Sequence, residues 1–287
     1  MLRPSCYWLL TRLSMTALLG SCQGNGNTSA QATEPGLSMP SDTTQWVGKG
    51  EQRLHVQAYH SSTRTARPTL VVVLHGDAPF RPPEYQYTLA RQVAAAYPNV
   101  VAVGLLRPGY TDPQGYRSAG LRGEATGDNY TPEVVDAVAA ALTELRQRYH
   151  AGRLVVAGHS GGAAITANVL ARYPNHIDAA LLASCPCDVP RWRQHMQQLD
   201  DGGAIWETSV RSLSPLALAD SVDVTRPITL LVGTADSVAP PRFSRAYWQA
   251  LHQRRSPARL VQLPGEGHEI FLSATVRREI GVLLTGR

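Results

Sequence analysis

Leu154-Val155-Val156-Ala157-Gly158-His159-Ser160-Gly161-Gly162-Ala163 decides the architecture of this chain. Four apolar residues run directly into a glycine-flanked serine, and a stretch of small residues with helical character follows. The pattern reads as strand, sharp turn, helix, with Ser160 at the apex of a G-x-S-x-G turn. Gly158 and Gly162 lie two residues to either side, and residues that small let the strand and the helix pass closely. Such a turn strains the backbone at Ser160 and lifts its Oγ out of the sheet, where a base can reach it.

Outward from this turn, apolar runs alternate with helical spacing. Residues 69–74, 100–106, 177–184 and 227–232 are near-continuous apolar runs, the pattern of parallel strands buried on both faces. Residues 53–59 alternate polar and apolar and read as an early antiparallel strand, and 259–263 read as the last strand of the chain. Helical spacing is expected over 85–97, 161–172, 241–255 and 270–285. A further helix opens at Thr131-Pro132, with Thr131 as N-cap and Pro132 at the first helical position, and runs to Tyr149. Alternating strands and helices predict an α/β fold with a mostly parallel central sheet covered on both faces. Two stretches lack periodicity, 107–130 and 186–225. The second holds Trp192, Trp206 and a short helix near 214–220, and is expected to form a small irregular cap.

Three further motifs sit at strand ends. Residues 69–74 end in His75-Gly76; 228–232 lead into Gly233-Thr234-Ala235-Asp236-Ser237-Val238-Ala239-Pro240; 260–263 lead into Pro264-Gly265-Glu266-Gly267-His268-Glu269. With these motifs in this order, residues 46–286 resemble the α/β-hydrolase superfamily, whose chain order is nucleophile, acid, histidine. The resemblance implies a Ser160, His268, Asp236 triad. A serine hydroxyl needs a base to take its proton as it attacks a carbonyl. Imidazole titrates near neutrality, so His268 can accept that proton and return it to the leaving group. Asp236 would hold the imidazole tautomer, with Asp188, after the preceding strand, as the rival acid.

The oxyanion formed in the attack needs donors, and the resemblance implies the backbone N–H groups of Gly161 and Asp77. His75 then shapes the loop. The Asp77 carboxylate is unfavourable beside a developing negative charge unless it turns away or is paired, with Arg81 and Arg107 as candidate partners. The loop 107–130 leaves a strand at the sheet edge that faces ligands, so Arg107, Tyr110, Arg117, Arg122 and Tyr130 are candidates for the pocket lining. Trp192 and Trp206 would supply an apolar wall. For each of these residues singly, packing of the loops on one another is the preferred reading.

A chain of 287 residues holds one α/β domain with a large core. Its formal charge is +5, or about +3 without Arg3 and Arg12, and no lysine run points to nucleic acid. Residues 1–21, ending Leu19-Gly20-Ser21 before Cys22, resemble a bacterial lipoprotein signal, although Arg12 interrupts the apolar stretch. An ordinary secretory leader and a mistaken start are the competing readings. On the lipoprotein reading Cys22 carries the lipid, and the only membrane contact is through that anchor. Residues 22–45, rich in Gln, Asn, Ser, Thr, Gly and Pro, read as a tether, and the folded domain is expected over 46–287. The protein would then be exported and face the periplasm or the cell exterior. Cys185 and Cys187 flank Pro186 and form either a small strained disulfide or two reduced buried thiols. No zinc spacing, nucleotide or flavin signature is present, so neither metal nor cofactor is expected.

Hydrolysis of a carboxylic ester through an acyl-enzyme is the leading expectation. Residues 213–271 are also similar to the catalytic domain of prolyl-oligopeptidase-type peptidases, which makes short peptides the second substrate class. Those peptidases carry an extra gating domain, for which this chain has no room, so the peptide reading ranks second. A non-catalytic binder on the same scaffold and cofactor-free haloperoxidase or lyase chemistry are the remaining alternatives.

Overall fold

One eight-stranded sheet organises the computed structural model of the protein, which describes residues 42–48, 52–124, 126–200 and 202–285. The expected signal segment, Cys22 and the tether up to residue 41 lie outside the described residues. In chain order the elements are β1 (Asp42–Val47), β2 (Leu54–His60), β3 (Thr69–Leu74), α1 (Tyr85–Ala96), β4 (Val100–Leu105), α2 (Pro132–Arg148) and β5 (Arg153–His159). They continue with α3 (Gly161–Arg172), β6 (Ala179–Ala183), α4 (Val189–Leu199), β7 (Ile228–Gly233), α5 (Pro241–Gln253), β8 (Arg259–Leu263) and α6 (Ala274–Thr285). Strand order across the sheet is β1-β2-β4-β3-β5-β6-β7-β8. β2 runs antiparallel to both neighbours, and β3 to β8 run parallel.

The pleat explains the two layers. Along β3, Leu70, Val72 and Leu74 face a core shared with α2, α3 and α5, while Val71 and Val73 face one shared with α1 and α6. Because both faces are covered, the central strands are apolar throughout, as the sequence pattern predicts. Each fully buried Val or Leu stabilises the fold by roughly 1.5–3 kcal/mol relative to exposure.

The sheet order also fixes where a ligand can bind. From β3 the chain crosses to β4 on one side, and from β4 it returns to β5 on the other. The C-terminal ends of β3 and β5 therefore border the crevice at a topological switch point. Leu74 pairs with Gly158, so the His75-Gly76-Asp77 loop and the Ser160 turn leave the sheet side by side.

Two elements were not legible in the sequence pattern. β1 begins at Asp42, so the tether expected to run to residue 45 already contributes an edge strand. Its Trp46 and Val47 suit a half-buried strand, but the segment lacks clear alternation. Within 186–225, expected to be irregular, α4 is a regular helix. The Asp188 side chain accepts from the Arg191 N–H, and a proline stands in the first turn. Its polar composition around a buried Trp192 masked the helical period. The helix expected near 214–220 is a 3-10 helix, Pro215–Ser221. Cys185 and Cys187, just beyond β6, are joined in a disulfide with their Cα atoms 5.1 Å apart.

Candidate active site

Ser160 stands at φ 49°, ψ −119°, a conformation costly for any residue with a Cβ. The close passage predicted for its glycines is real. A Cβ on Gly158 would lie 2.4 Å from the Gly162 carbonyl oxygen, and one on Gly162 would lie 2.4 Å from that of His75. The Ser160 N–H is held by the Ala183 carbonyl at 2.8 Å. Its hydroxyl makes no cap bond to α3 and so remains available.

Asp236 and His268 are brought together from the ends of β7 and β8. His268 Nδ1 lies 3.0 Å and 2.9 Å from the two carboxylate oxygens, and Oδ1 also accepts from the N–H groups of Val238 at 3.0 Å and Ala239 at 2.7 Å. Burial alone would raise the Asp236 pKa; the hydrogen bond from His268, the attraction of that ring whenever it is protonated, and the Ala239 N–H outweigh it and hold the carboxyl below its ordinary value. Asp236 therefore stays ionised and fixes the His268 proton on Nδ1, leaving Nε2 as the free base. Asp188, the rival acid, instead caps α4 and pairs with Arg191.

The cavity beside these groups, of about 350 Å³, is walled by residues 77–85 together with His159, Ser160, His268 and Glu269. Ser160 and His268 thus open on one space. Among the described residues no hydrogen bond joins Ser160 Oγ to His268; such bonds often tighten only with substrate bound.

His159, inside the turn motif, carries a role that the sequence pattern did not reveal. Burial foremost, then the neighbouring His268, depress its pKa to about 3, so it is neutral at ordinary pH. Its Nε2 donates to the His268 carbonyl at 3.0 Å, and its Nδ1 accepts from the Tyr85 hydroxyl at 2.9 Å. That tautomer follows from the carbonyl, which can only accept. Tyr85 Oη in turn accepts from the Gly76 N–H at 2.5 Å, and Ser184 Oγ donates to the same His268 carbonyl at 3.1 Å. One chain of hydrogen bonds therefore ties the loop after β3 to the backbone of His268.

His75 is structural, as expected. Its Nδ1 donates to the Gly76 carbonyl at 2.7 Å and its Nε2 accepts from the Arg107 N–H at 3.0 Å. Burial and the Arg107 charge push its pKa well below the usual value.

The expected pocket lining requires correction. Arg107, Tyr110 and Trp192 do not line the cavity; they are 0%, 3% and 1% exposed. Arg107 lies under the loop after β3, paired with Asp77 at 2.9 Å and set against the rings of Tyr110 and Tyr130. Trp192 packs among Ala239, Phe243 and Trp206 and donates to the Val238 carbonyl at 2.8 Å. Nearby, His195 Nε2 donates to the Ser237 carbonyl at 2.7 Å, so α4 braces the loop that carries Asp236. Arg117 is exposed away from the cavity, and Arg122 donates to the Ala78 carbonyl at 2.7 Å. Of the two candidate partners for Asp77, Arg107 rather than Arg81 takes the role. The wall itself is the run Ala78-Pro79-Phe80-Arg81-Pro82-Pro83, in which Phe80 is 97% exposed. Nothing in the local pattern of this Pro-rich run after β3 marks it as the cavity wall.

Over 155 residues the chain is 28% identical to a probable chloroplastic glutamyl endopeptidase of Oryza sativa subsp. japonica, covering 50% of this chain and 16% of that protein. The fold is similar to acylaminoacyl peptidase of Pyrococcus horikoshii, with TM-score 0.66 and 14% identity over 87% of this chain and 41% of that one. It is also similar to Est1E of Butyrivibrio proteoclasticus, with TM-score 0.62 and 13% identity over 85% of this chain and 99% of that one. A puromycin-hydrolyzing peptidase of Mycobacterium tuberculosis gives TM-score 0.64 and 19% identity over 89% and 41% of the respective chains. The model of the prolyl oligopeptidase family matches residues 114–281, a span that holds Ser160, Asp236 and His268, and the chain belongs to that family.

Proposed function

We propose that the protein is a serine hydrolase that cleaves small carboxylic esters through an acyl-enzyme. The observation that carries this reading is the buried Asp236 carboxylate paired with His268, which opens on the same cavity as a strained Ser160 with no side-chain cap bond. In the proposed step Ser160 Oγ passes its proton to His268 Nε2 and bonds to the substrate carbonyl carbon. The carbonyl oxygen becomes an oxyanion facing the N–H groups of Gly161 and Asp77. Among the described residues neither N–H donates a hydrogen bond, so both are free to serve it. Collapse breaks the ester bond, and the alcohol leaves with the proton from His268. Water then repeats the sequence on the acyl-enzyme.

Esters come first because every wall of the cavity belongs to the α/β domain and its rim is apolar at Phe80 and the prolines. The second reading, short peptides, is favoured by the prolyl oligopeptidase family and by the similarity to a glutamyl endopeptidase. Purified protein assayed on p-nitrophenyl acyl esters and on aminoacyl-arylamides separates them. Turnover of esters with little or no arylamide cleavage is expected; turnover of the amides alone would refute the ester reading. A fluorophosphonate probe is expected to label Ser160, and failure to label the folded protein would favour a non-catalytic binder.

We also propose that Cys22 carries a lipid and holds the enzyme at a bacterial membrane outside the cytoplasm. The support is Leu19-Gly20-Ser21-Cys22 after an apolar stretch, followed by a polar, Gly- and Ser-rich run. Cys22→Ser should move the protein from the membrane fraction to the soluble one. An unchanged membrane fraction contradicts the anchor.

A further inference from the structure

Asp77 presents a problem that the serine chemistry does not solve by itself. Its backbone N–H serves the proposed oxyanion, while its side chain carries a charge of the same sign as that oxyanion. A carboxylate left free beside that site would oppose the reaction.

The carboxylate is instead fully engaged. Oδ1 accepts from Arg107 Nη1 at 2.9 Å and from the Tyr110 hydroxyl at 3.4 Å. Oδ2 accepts from the Tyr130 hydroxyl at 2.6 Å and from the Gly127 N–H at 3.0 Å. Arg107 is completely buried, and its second terminal nitrogen donates to Asn129 Oδ1 at 3.3 Å. All these partners come from the segment 107–130, the stretch whose position at the sheet edge suggested substrate binding.

The cluster reaches both proposed oxyanion donors. Asp77 supplies one of them. The other belongs to Gly161, where an added Cβ would lie 2.6 Å from Asp77 Oδ1, 2.7 Å from the Tyr130 ring and 2.8 Å from Arg107 Nη1. The ion pair therefore packs directly on the first residue of α3, which gives a reason for glycine at that position. On the other side, a Cβ on Gly76 would lie 2.9 Å from the Ser160 Cβ, so the loop is already pressed against the nucleophile.

We infer that the Asp77 side chain is a positioning residue: clamped by Arg107, Tyr130, Tyr110 and the Gly127 N–H, it fixes the loop after β3 against Gly161 and so sets the spacing of the two oxyanion donors. The inference rests on the serine-hydrolase reading above. Through this clamp the 107–130 segment acts on rate rather than on substrate choice.

Charge and position make opposite predictions, which allows a clean test. Asp77→Asn removes the negative charge and leaves Arg107 positive near the oxyanion. If charge governed the rate, kcat would rise. If the clamp governs it, kcat on a p-nitrophenyl ester falls by about 10- to 100-fold with KM changed less than about threefold, because donors misplaced by a fraction of an ångström lose the transition state more than the substrate. The inhibition constant of a trifluoromethyl ketone, whose serine adduct carries an oxyanion, should rise in parallel with the loss in kcat/KM. Tyr130→Phe deletes one clamp donor without altering charge and is expected to lower kcat several-fold in the same manner. It also decides the matter if Asp77→Asn leaves Arg107 too poorly paired to fold. Wild-type turnover combined with unchanged or raised kcat in the folded variants overturns the clamp alone. A wild-type chain that neither turns over nor labels overturns the serine-hydrolase reading, and the clamp with it.

Discussion

Replacing Ser160 with alanine lowers ester turnover by about 10⁴-fold or more, because among the described residues the cavity wall holds no other serine, threonine or cysteine, the Tyr85 hydroxyl is engaged by Gly76 and His159, and only weak water attack is left. The fold survives the change. Ser160 caps α3 without a side-chain bond, so no cap is lost, and alanine keeps the same Cβ on the same strained turn. The melting temperature should stay within a few degrees. Ser160→Gly should be equally inactive yet more stable, since strain of roughly 1–3 kcal/mol at φ 49° is relieved against about 1 kcal/mol of added backbone entropy loss. Steady-state turnover and thermal melts check both statements. A loss smaller than about 100-fold would mean that another group is the nucleophile.

Asp236→Asn should cost about 10³- to 10⁴-fold in kcat, and the hydrogen bonds give the reason. Oδ1 accepts from two backbone N–H groups, Val238 and Ala239, so the asparagine must place its carbonyl oxygen there. Its amide nitrogen then occupies the Oδ2 position, 2.9 Å from His268 Nδ1. Two donors cannot face each other, so His268 is driven to the tautomer protonated on Nε2, which cannot take the serine proton. Asp188→Asn is the control. Its side chain caps α4 and pairs with an exposed Arg191, so the expected cost is about 1 kcal/mol of stability or less, with turnover retained. If Asp188→Asn abolished turnover while Asp236→Asn did not, the assignment of the acid would be reversed.

Most of the framework was legible because its determinants are local. Continuous apolar runs announce parallel strands that are buried on both faces, and β3 to β7 match them within a few residues. Thr131-Pro132 opens α2 as its cap chemistry requires, with the Thr131 side chain accepting from the Val134 N–H. α4 escaped because its face is polar except for a few residues such as Trp192. β1 escaped because an edge strand needs no strict alternation. Ser160, Asp236 and His268, the proposed triad, were legible for a different reason: each stands at the C-terminal end of a recognisable strand, and only that end faces the crevice.

Local pattern could not say which loop walls the cavity. The 107–130 and 77–85 segments leave neighbouring parallel strands at the same sheet edge and look equally eligible by position. Packing separates them. Arg107 needs a counter-charge when buried, and Asp77 supplies it, so the 107–130 segment is drawn beneath the loop after β3 and leaves the cavity wall to Phe80 and its prolines. His159 took its role in the same way, its ring joined to Tyr85 across 74 positions and to the His268 carbonyl across 109.

The sequence by itself determined the strand–turn–helix at Ser160, the order of Ser160, Asp236 and His268, and the parallel sheet that carries them, since each depends on periodicity and turn chemistry within about ten residues. Only the tertiary structure decided what surrounds them: that Asp77 is clamped rather than free, that Arg107, Tyr110 and Trp192 are buttresses rather than pocket walls, and that His159 is tied to the backbone of His268. Those outcomes depend on burial and charge pairing between segments far apart in the chain, and sheet order sets such distances, which residue pattern does not.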